Sequence, residues 1–390
     1  MYGIFSYDTA PPRIGWKHGP AILDLNVVGS LGYFNDLNID LAVFGRSVLN
    51  DFIALGKAVH QTVQRRLTDL LENDANALAN VHDQVFVQES QARMHLPVRV
   101  GDYTDFYAGI HHAQNVGRMF RPTAEPLLPN YRQMPIAYHG RASSIVVSGS
   151  PVRRPNGQFL RADEVQFGPS QALDFELELG LIIGKASTQG EPIAIDEAED
   201  YIFGVVLFND WSARDIQRWE YQPLGPFLGK NFASSLSAWV VPFEQLEPFR
   251  IVSPAQTPTP LPYLQASRPG HFDLDLEVWL QPADSDEVCI SQTNTRYLYW
   301  SFAQMIAHHT VSGCNLNVGD VLATGTISGP EPGSYGSLLE LSWNGQHPLH
   351  LTPSLTRTFL ADGDTVTFRG VGRNRQSMVA LGDVTGTIIP

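Results

Sequence analysis

Cysteine is nearly absent from this chain of 390 residues, where Cys289 and Cys314 are the only two. A pair of thiols cannot build a disulfide framework or a multi-cysteine zinc site, and such scarcity suits a reducing compartment. Both are expected to behave as small buried apolar residues. Positive charge is also short: 26 Lys and Arg face 40 Asp and Glu, for a formal net charge of -14. That balance excludes a general nucleic-acid surface, and any anionic substrate must be met by a local cluster of Arg, Lys or metal. No apolar run approaches the ~20 residues of a membrane span. The opening "MYGIFSYDTAPPRIG" lacks the basic stretch and apolar run of a signal peptide. The expectation is a soluble cytoplasmic protein with neither nucleic-acid nor membrane partners. Missing too are the G-x-S-x-G elbow, H-E-x-x-H, and a G-x-G-x-x-G between strand and helix. "GPFLGKN", Gly225 to Asn231, imitates a phosphate loop but has one residue too few between its glycines and Asn after Lys230.

What is present can bury a sizeable core: 43% of residues are hydrophobic, and the length suggests about two domains. From Met1 to about Pro97, strand-like pieces such as "AILDLNVV" precede a largely helical region including "VHQTVQRRLTDLLENDANALANV". Beyond it the texture changes to short β-type runs punctuated by Gly and Pro, among them "YIFGVVLFND", "FDLDLEVWLQ" and "TVTFRGVG". The fold class is therefore mainly β with some α. The Pro-rich "VSPAQTPTPLPYLQASRPG" reads as a long surface connection, because strand-like sequence resumes directly after it.

The chemistry-bearing stretches each carry two readings. "LDFELELGLIIG" alternates as a strand should, placing Asp174, Glu176 and Glu178 on one face. Residues two apart on a strand lie about 6.5–7 Å apart, so Glu176 and Glu178 could share a cation, or the face could simply be solvated. Asp210 ends an apolar strand before a short helix, as N-cap or as ligand. Arg214 and Gln217, three apart on that helix, share a face and could present donors to one oxygen or only to water. Asp105, Tyr107, His111, His112 and Arg121 fall in a loop-like stretch with too many turn-formers and aromatics for a clean helix or strand. His308 and His309 follow a helical pattern and read as packing or surface histidines.

The motifs "DYTDFY", "YHGRASSIVVSG", "NDWSARDIQ", "PLGPFLGK", "GCNL", "GTISG" and "GSLLELSW" together resemble the fumarylacetoacetase (fumarylacetoacetate hydrolase) family. The resemblance runs nearly end to end and is strongest over residues 98 to 345. It implies an N-terminal SH3-like β-barrel domain with added helices, residues 1–97, and a catalytic domain with a mixed β-sandwich roll, residues 98–390, in a homodimer. It implies further that Asp105, Glu176, Glu178 and Asp210 surround a divalent cation, Ca²⁺ with Mg²⁺ or Mn²⁺ as alternatives. In the same way His112 is the base and Glu340 its orienting partner. Arg214, Gln217 and Lys230 are the donors to developing negative charge, and Tyr107, Arg121, Tyr221 and Thr326 join Arg214 and Gln217 around the bound acid. The implied reaction is cleavage of a carbon–carbon bond in a small diketo acid, 4-fumarylacetoacetate, giving fumarate and acetoacetate at the end of tyrosine and phenylalanine degradation.

The residue types agree with that assignment. Oxygen donors without Cys or His make a hard site suited to Ca²⁺, Mg²⁺ or Mn²⁺, and a cation lets mutually repelling carboxylates stay ionised. Asp174 has no metal role in this reading and is expected to tolerate Asn. The sequence departs from the family pattern twice. The Gly-Thr pair that helps hold a second cation, Mg²⁺, near Lys230 reads Ala233-Ser234, which leaves that site, with Ser234 as ligand, open. The tail after about Gly370 looks short and divergent. Two rivals remain: acylpyruvate hydrolysis or oxaloacetate decarboxylation on the same scaffold, and a diketo-acid binder without turnover.

Overall fold

The computed structural model describes all residues except Asp74, Ala75 and Pro122. The N-terminal part is an antiparallel run of strands in the order Phe86–Gln88, Ala21–Asp24, Arg13–His18, Tyr2–Ser6, with Arg93–His95 also paired to Tyr2–Ser6. Between its third and fourth strands in sequence lie the helices, of which Lys57–Thr68 carries much of the expected helical region. Two positions of that region, Asp74 and Ala75, lie outside the described residues. The buried Asp24 begins the first helix, accepting from the N–H groups of Asn26 and Val27 while pairing with Arg13 at 2.5 Å. It thus satisfies donors that a helix N-terminus leaves orphaned.

Strand Tyr2–Ser6 also pairs with Trp239–Pro242, so these strands continue into the sheet that builds the site. That sheet runs Trp239–Pro242, Ile202–Asp210, Leu177–Ile183, Val321–Ala323, Tyr103–Phe106, Ala137–His139. A second sheet is ordered Val288–Asn294, Leu274–Gln281, Thr365–Arg373, Val384–Ile389, Val152–Arg153. Both faces of the first sheet are covered. Leu179, Leu181 and Leu207 join Leu276, Val278 and Phe368 of the second sheet in one core, while Ile182, Val206 and Phe208 join Tyr2, Phe52 and Val63 in the other.

Three expectations change here. The strand Leu177–Ile183, with Glu178, is buried along its whole length, and Asp174 and Glu176 ahead of it are buried too, so the solvated-face reading of the carboxylates fails: a strand central to a covered sheet has no wet side. The stretch from Asp105 to Arg121 is regular, with strand Tyr103–Phe106 and helix Ile110–Phe120. The glycine within the helix has a packing reason, since a Cβ at Gly117 would lie 1.9 Å from the carbonyl oxygen of Pro126. Cys314 is exposed and Cys289 half-buried, so neither belongs to the core. The tail after Gly370 completes the second sheet through Val384–Ile389, and the Pro-rich connection carries one short turn, Pro262–Leu264, whose Leu264 is buried.

Candidate active site

Four carboxylates are brought together, Asp105, Glu178 and Asp210 from three strands of one sheet and Glu176 from the link just before Leu177–Ile183, with ligand-capable oxygens all within 4.8 Å of one another. Antiparallel pairing sets Glu178 opposite Phe208 and Leu177 opposite Asn209, carrying Glu176 beside Asp210, while Asp105 arrives by parallel pairing with Ala323. Asp210 does not cap the following helix; Ala213 occupies that position without a side-chain bond. Instead Asp210 accepts from Tyr138 Oη at 2.9 Å and Ser234 Oγ at 3.0 Å and forms an ion pair with Lys230 Nζ at 3.0 Å.

Glu176 is held by cations: Lys230 Nζ lies 2.6 Å from Oε2 and Arg214 Nη1 2.7 Å from Oε1. Burial opposes its ionisation, but Lys230, Arg214 and His112 outweigh that and hold it below the usual carboxylate range. Asp105 and Glu178 go the other way. Burial first, then the neighbouring carboxylates, push both well above that range. Asp105 Oδ1 and Glu178 Oε1 are buried with no hydrogen-bond partner, although buried polar atoms are nearly always paired. Oxygen-only donors, clustered and partly unpaired, fit a hard divalent cation, and this buried cluster could hold one.

Beside the cluster, His112 Nδ1 lies 2.6 Å from Glu340 Oε2. Because an ionised carboxylate only accepts, Nδ1 is the donor in that bond, and in the neutral ring this tautomer leaves the lone pair on Nε2. Nε2 lies 4.0 Å from Glu176 Oε1, on the cluster side of the ring. Glu340 is buried, which opposes its charge, yet His112, Asn115 and Ser328 hold it below its ordinary value. The expected donors and contacts share one cavity of about 510 Å³, lined among others by Asp105, Tyr107, His112, Arg121, Arg214, Gln217, Tyr221, Lys230 and Thr326. Tyr107 packs edge-on to His112 with centroids 5.4 Å apart. Thr326 Oγ1, Arg121 Nε and Arg214 Nη2 are buried without partners, and Arg214 Nη1 donates to Gln217 Oε1 at 3.2 Å. Tyr221 sits at the mouth, 44% exposed.

His111 is outside this arrangement, edge-on to Tyr297. His308 and His309 pack as expected, against Tyr263 Oη and Thr104 Oγ1, each at 3.0 Å. Asp174 corrects the reading of it as an indifferent acid. The strand breaks after it, and its fully buried carboxylate accepts from the N–H groups of Phe175, Leu338 and Leu339 and from Arg214 Nε at 2.8 Å. It therefore ties Arg214 to the start of the helix Leu338–Leu341, which bears Glu340. Asn115, Ser328 and Ser337, all bonded to Glu340, were missed. Two had a signal: Asn115 follows His112 by one helical turn, and "SLLE" has the capping-box spacing.

The family description "Fumarylacetoacetate (FAA) hydrolase C-terminal" matches residues 103–388, and "Fumarylacetoacetase N-terminal" matches residues 2–97. Fumarylacetoacetase of Arabidopsis thaliana is 47% identical and that of Homo sapiens 46%, each alignment covering 100% of this chain and 94% of the relative. The solved fumarylacetoacetate hydrolase of psychrophilic Exiguobacterium antarcticum shares the fold at a TM-score of 0.56 and 18% identity, over 100% of this chain and 99% of that one. The chain belongs to the fumarylacetoacetate hydrolase family.

Proposed function

We propose that this enzyme hydrolyses 4-fumarylacetoacetate to fumarate and acetoacetate, the last step of tyrosine and phenylalanine degradation. The observation that carries the reading is the His112–Glu340 pair, joined at 2.6 Å, with the His112 ring lining the same cavity as Asp105 and Glu176 of the carboxylate cluster. Asp105, Glu176, Glu178 and Asp210 are the ligands of a divalent cation, read as Ca²⁺ with Mg²⁺ or Mn²⁺ as alternatives. When bound, that cation supplies Lewis acidity to the oxygens of the diketo acid. His112 Nε2 takes a proton from water as the water oxygen bonds to the carbonyl carbon. Glu340 keeps the ring in the required tautomer and stabilises the imidazolium. Arg214, Gln217 and Lys230 hold the oxyanion that forms, a donor of this kind contributing about 3–4 kcal/mol. As the carbonyl re-forms, the carbon–carbon bond breaks, its electron pair leaves with acetoacetate, and His112 returns the proton to that carbon. Tyr107, Arg121, Tyr221 and Thr326 contact the bound acid. A second cation, Mg²⁺, near Lys230 would be joined by Ser234, whose hydroxyl donates to Asp210 at 3.0 Å and keeps its oxygen lone pairs free to coordinate.

The working unit is a homodimer in the cytoplasm, with residues 1–97 supplying packing and residues 98–390 the chemistry. Among the described residues no helix is long and apolar enough to cross a membrane. An exposed apolar face favours association: Leu160, Val165 and Phe167 share one side of the hairpin Asn156–Arg161/Glu164–Pro169, and burying such a patch is favourable. The test is ultraviolet-monitored loss of fumarylacetoacetate beside acetylpyruvate and oxaloacetate, before and after metal removal. Preference for either alternative substrate would reassign the reaction.

A further inference from the structure

Residues 221–229 form part of the cavity rim through Tyr221, Leu224, Gly225 and Pro226, and they deliver the chain to Lys230. This segment has little core of its own, with Leu224 95% and Phe227 65% exposed. Polar bonds to its backbone therefore decide where it rests. Glu220, the last residue of helix Arg214–Glu220, turns its carboxylate over the segment. Oε1 accepts from the N–H groups of Phe227 at 2.7 Å and Gly229 at 2.8 Å, and Oε2 from that of Leu228 at 2.9 Å. Successive amides converging on one anion make the concavity that elsewhere binds phosphate; here the chain supplies the anion itself. Gly229 is a second anchor. A Cβ there would lie 2.8 Å from the Cβ and 2.9 Å from the backbone of Gln217, and its carbonyl accepts from Ala213 N–H at 2.8 Å. The next residue is Lys230, whose ammonium reaches Glu176 at 2.6 Å and Asp210 at 3.0 Å.

We propose that Glu220 is a positioning residue: by filling the amide cradle of Phe227, Leu228 and Gly229 it fixes the point from which Lys230 enters the site and the placing of the rim beside Gln217. The inference rests on the reading of Lys230 as a donor to developing negative charge. A lysine on a displaced backbone still folds and still carries its charge, but it meets the reacting oxygen at the wrong place, and misplacement of about 1 Å costs about 100-fold.

The test is Glu220→Ala in the metal-loaded, full-length enzyme, with sodium acetate as the replacement anion. The expected result is a kcat about 10- to 100-fold below wild type, recovered at least in part by acetate, which leaves wild type unchanged. Amide exchange at Phe227, Leu228 and Gly229 should quicken in the variant and slow again with acetate, while the strand Leu177–Ile183 keeps its protection. Glu220→Gln, with one acceptor oxygen for three amides, should fall between. Wild-type kcat in Glu220→Ala, a loss that acetate does not relieve, or unchanged exchange at the three amides overturns the proposal. A wild-type enzyme inert toward fumarylacetoacetate overturns the functional reading instead, and the exchange measurement still decides the clamp.

Discussion

Two groups of buried acids lie side by side in this site and are treated in opposite ways. Glu340 receives donors on both oxygens, from His112, Asn115, Ser328 and Ser337. On the other side of His112, in the carboxylate cluster, Asp105 and Glu178 each keep a buried oxygen with no partner and face other carboxylates. An unpaired buried polar group costs about 1–3 kcal/mol, so the second arrangement persists only if something else satisfies it. In the proposed reading the saturated acid orients a neighbour, and the unsaturated group is one that could hold a cation. Burial is common to both; the difference lies in which donors the fold supplies.

The largest effect should come where the saturated acid acts. His112→Ala is expected to lower kcat by about 10²–10⁴-fold while calorimetric cation affinity stays close to wild type. His111→Ala should stay active, because that ring packs on Tyr297. An inert His111→Ala beside an active His112→Ala would reverse the assignment of the helix face. On the unsaturated side, Glu178→Gln removes a ligand charge at nearly constant shape. Cation affinity should fall on the order of 100-fold, with turnover falling alongside and partly restored by excess metal. Wild-type affinity in that variant would end the distinction between the two groups.

Asn115→Ala is a smaller perturbation that makes the saturated acid resemble its neighbours, since it removes the donor to Glu340 Oε1. A drop in kcat of about tenfold at unchanged cation affinity is expected, in line with other partners that orient a functional group. Metal removal probes the same contrast through stability. Asp105 and Glu178 titrate in the folded, metal-free protein well above their ordinary values. Folding then favours their protonated forms, so metal-free stability falls as pH rises through the unfolded carboxylate range and onward to the folded pKa. The bound cation reverses that penalty, and the gap in Tm between loaded and stripped protein should widen from pH 5 toward pH 8. A gap independent of pH would mean that these acids are not the ligands. The smallest effects belong to His308→Ala and His309→Ala, whose rings bond Tyr263 and Thr104; kcat near wild type is expected in both.

Local pattern was enough to announce a mainly β chain, a helix over much of residues 59–81, and an acidic strand bearing Glu178, because the periods of side-chain direction are properties of the backbone alone. It failed at residues 105–121, where turn-forming glycines masked a helix. Gly117 is there for the close approach of Pro126, a contact invisible until the chain folds. It failed also at Asp174, which shares the alternation of Glu176 and Glu178 yet turns away to Arg214 and the amides of Leu338 and Leu339. Resemblance named His112 and Glu340 as a pair, but they stand 228 residues apart, and only the fold sets them 2.6 Å from each other. Which acids received donors and which kept an unpaired oxygen was likewise decided in three dimensions: the sequence determined the kinds of groups and their local direction, whereas hydrogen-bond satisfaction depends on donors from segments far apart in the chain.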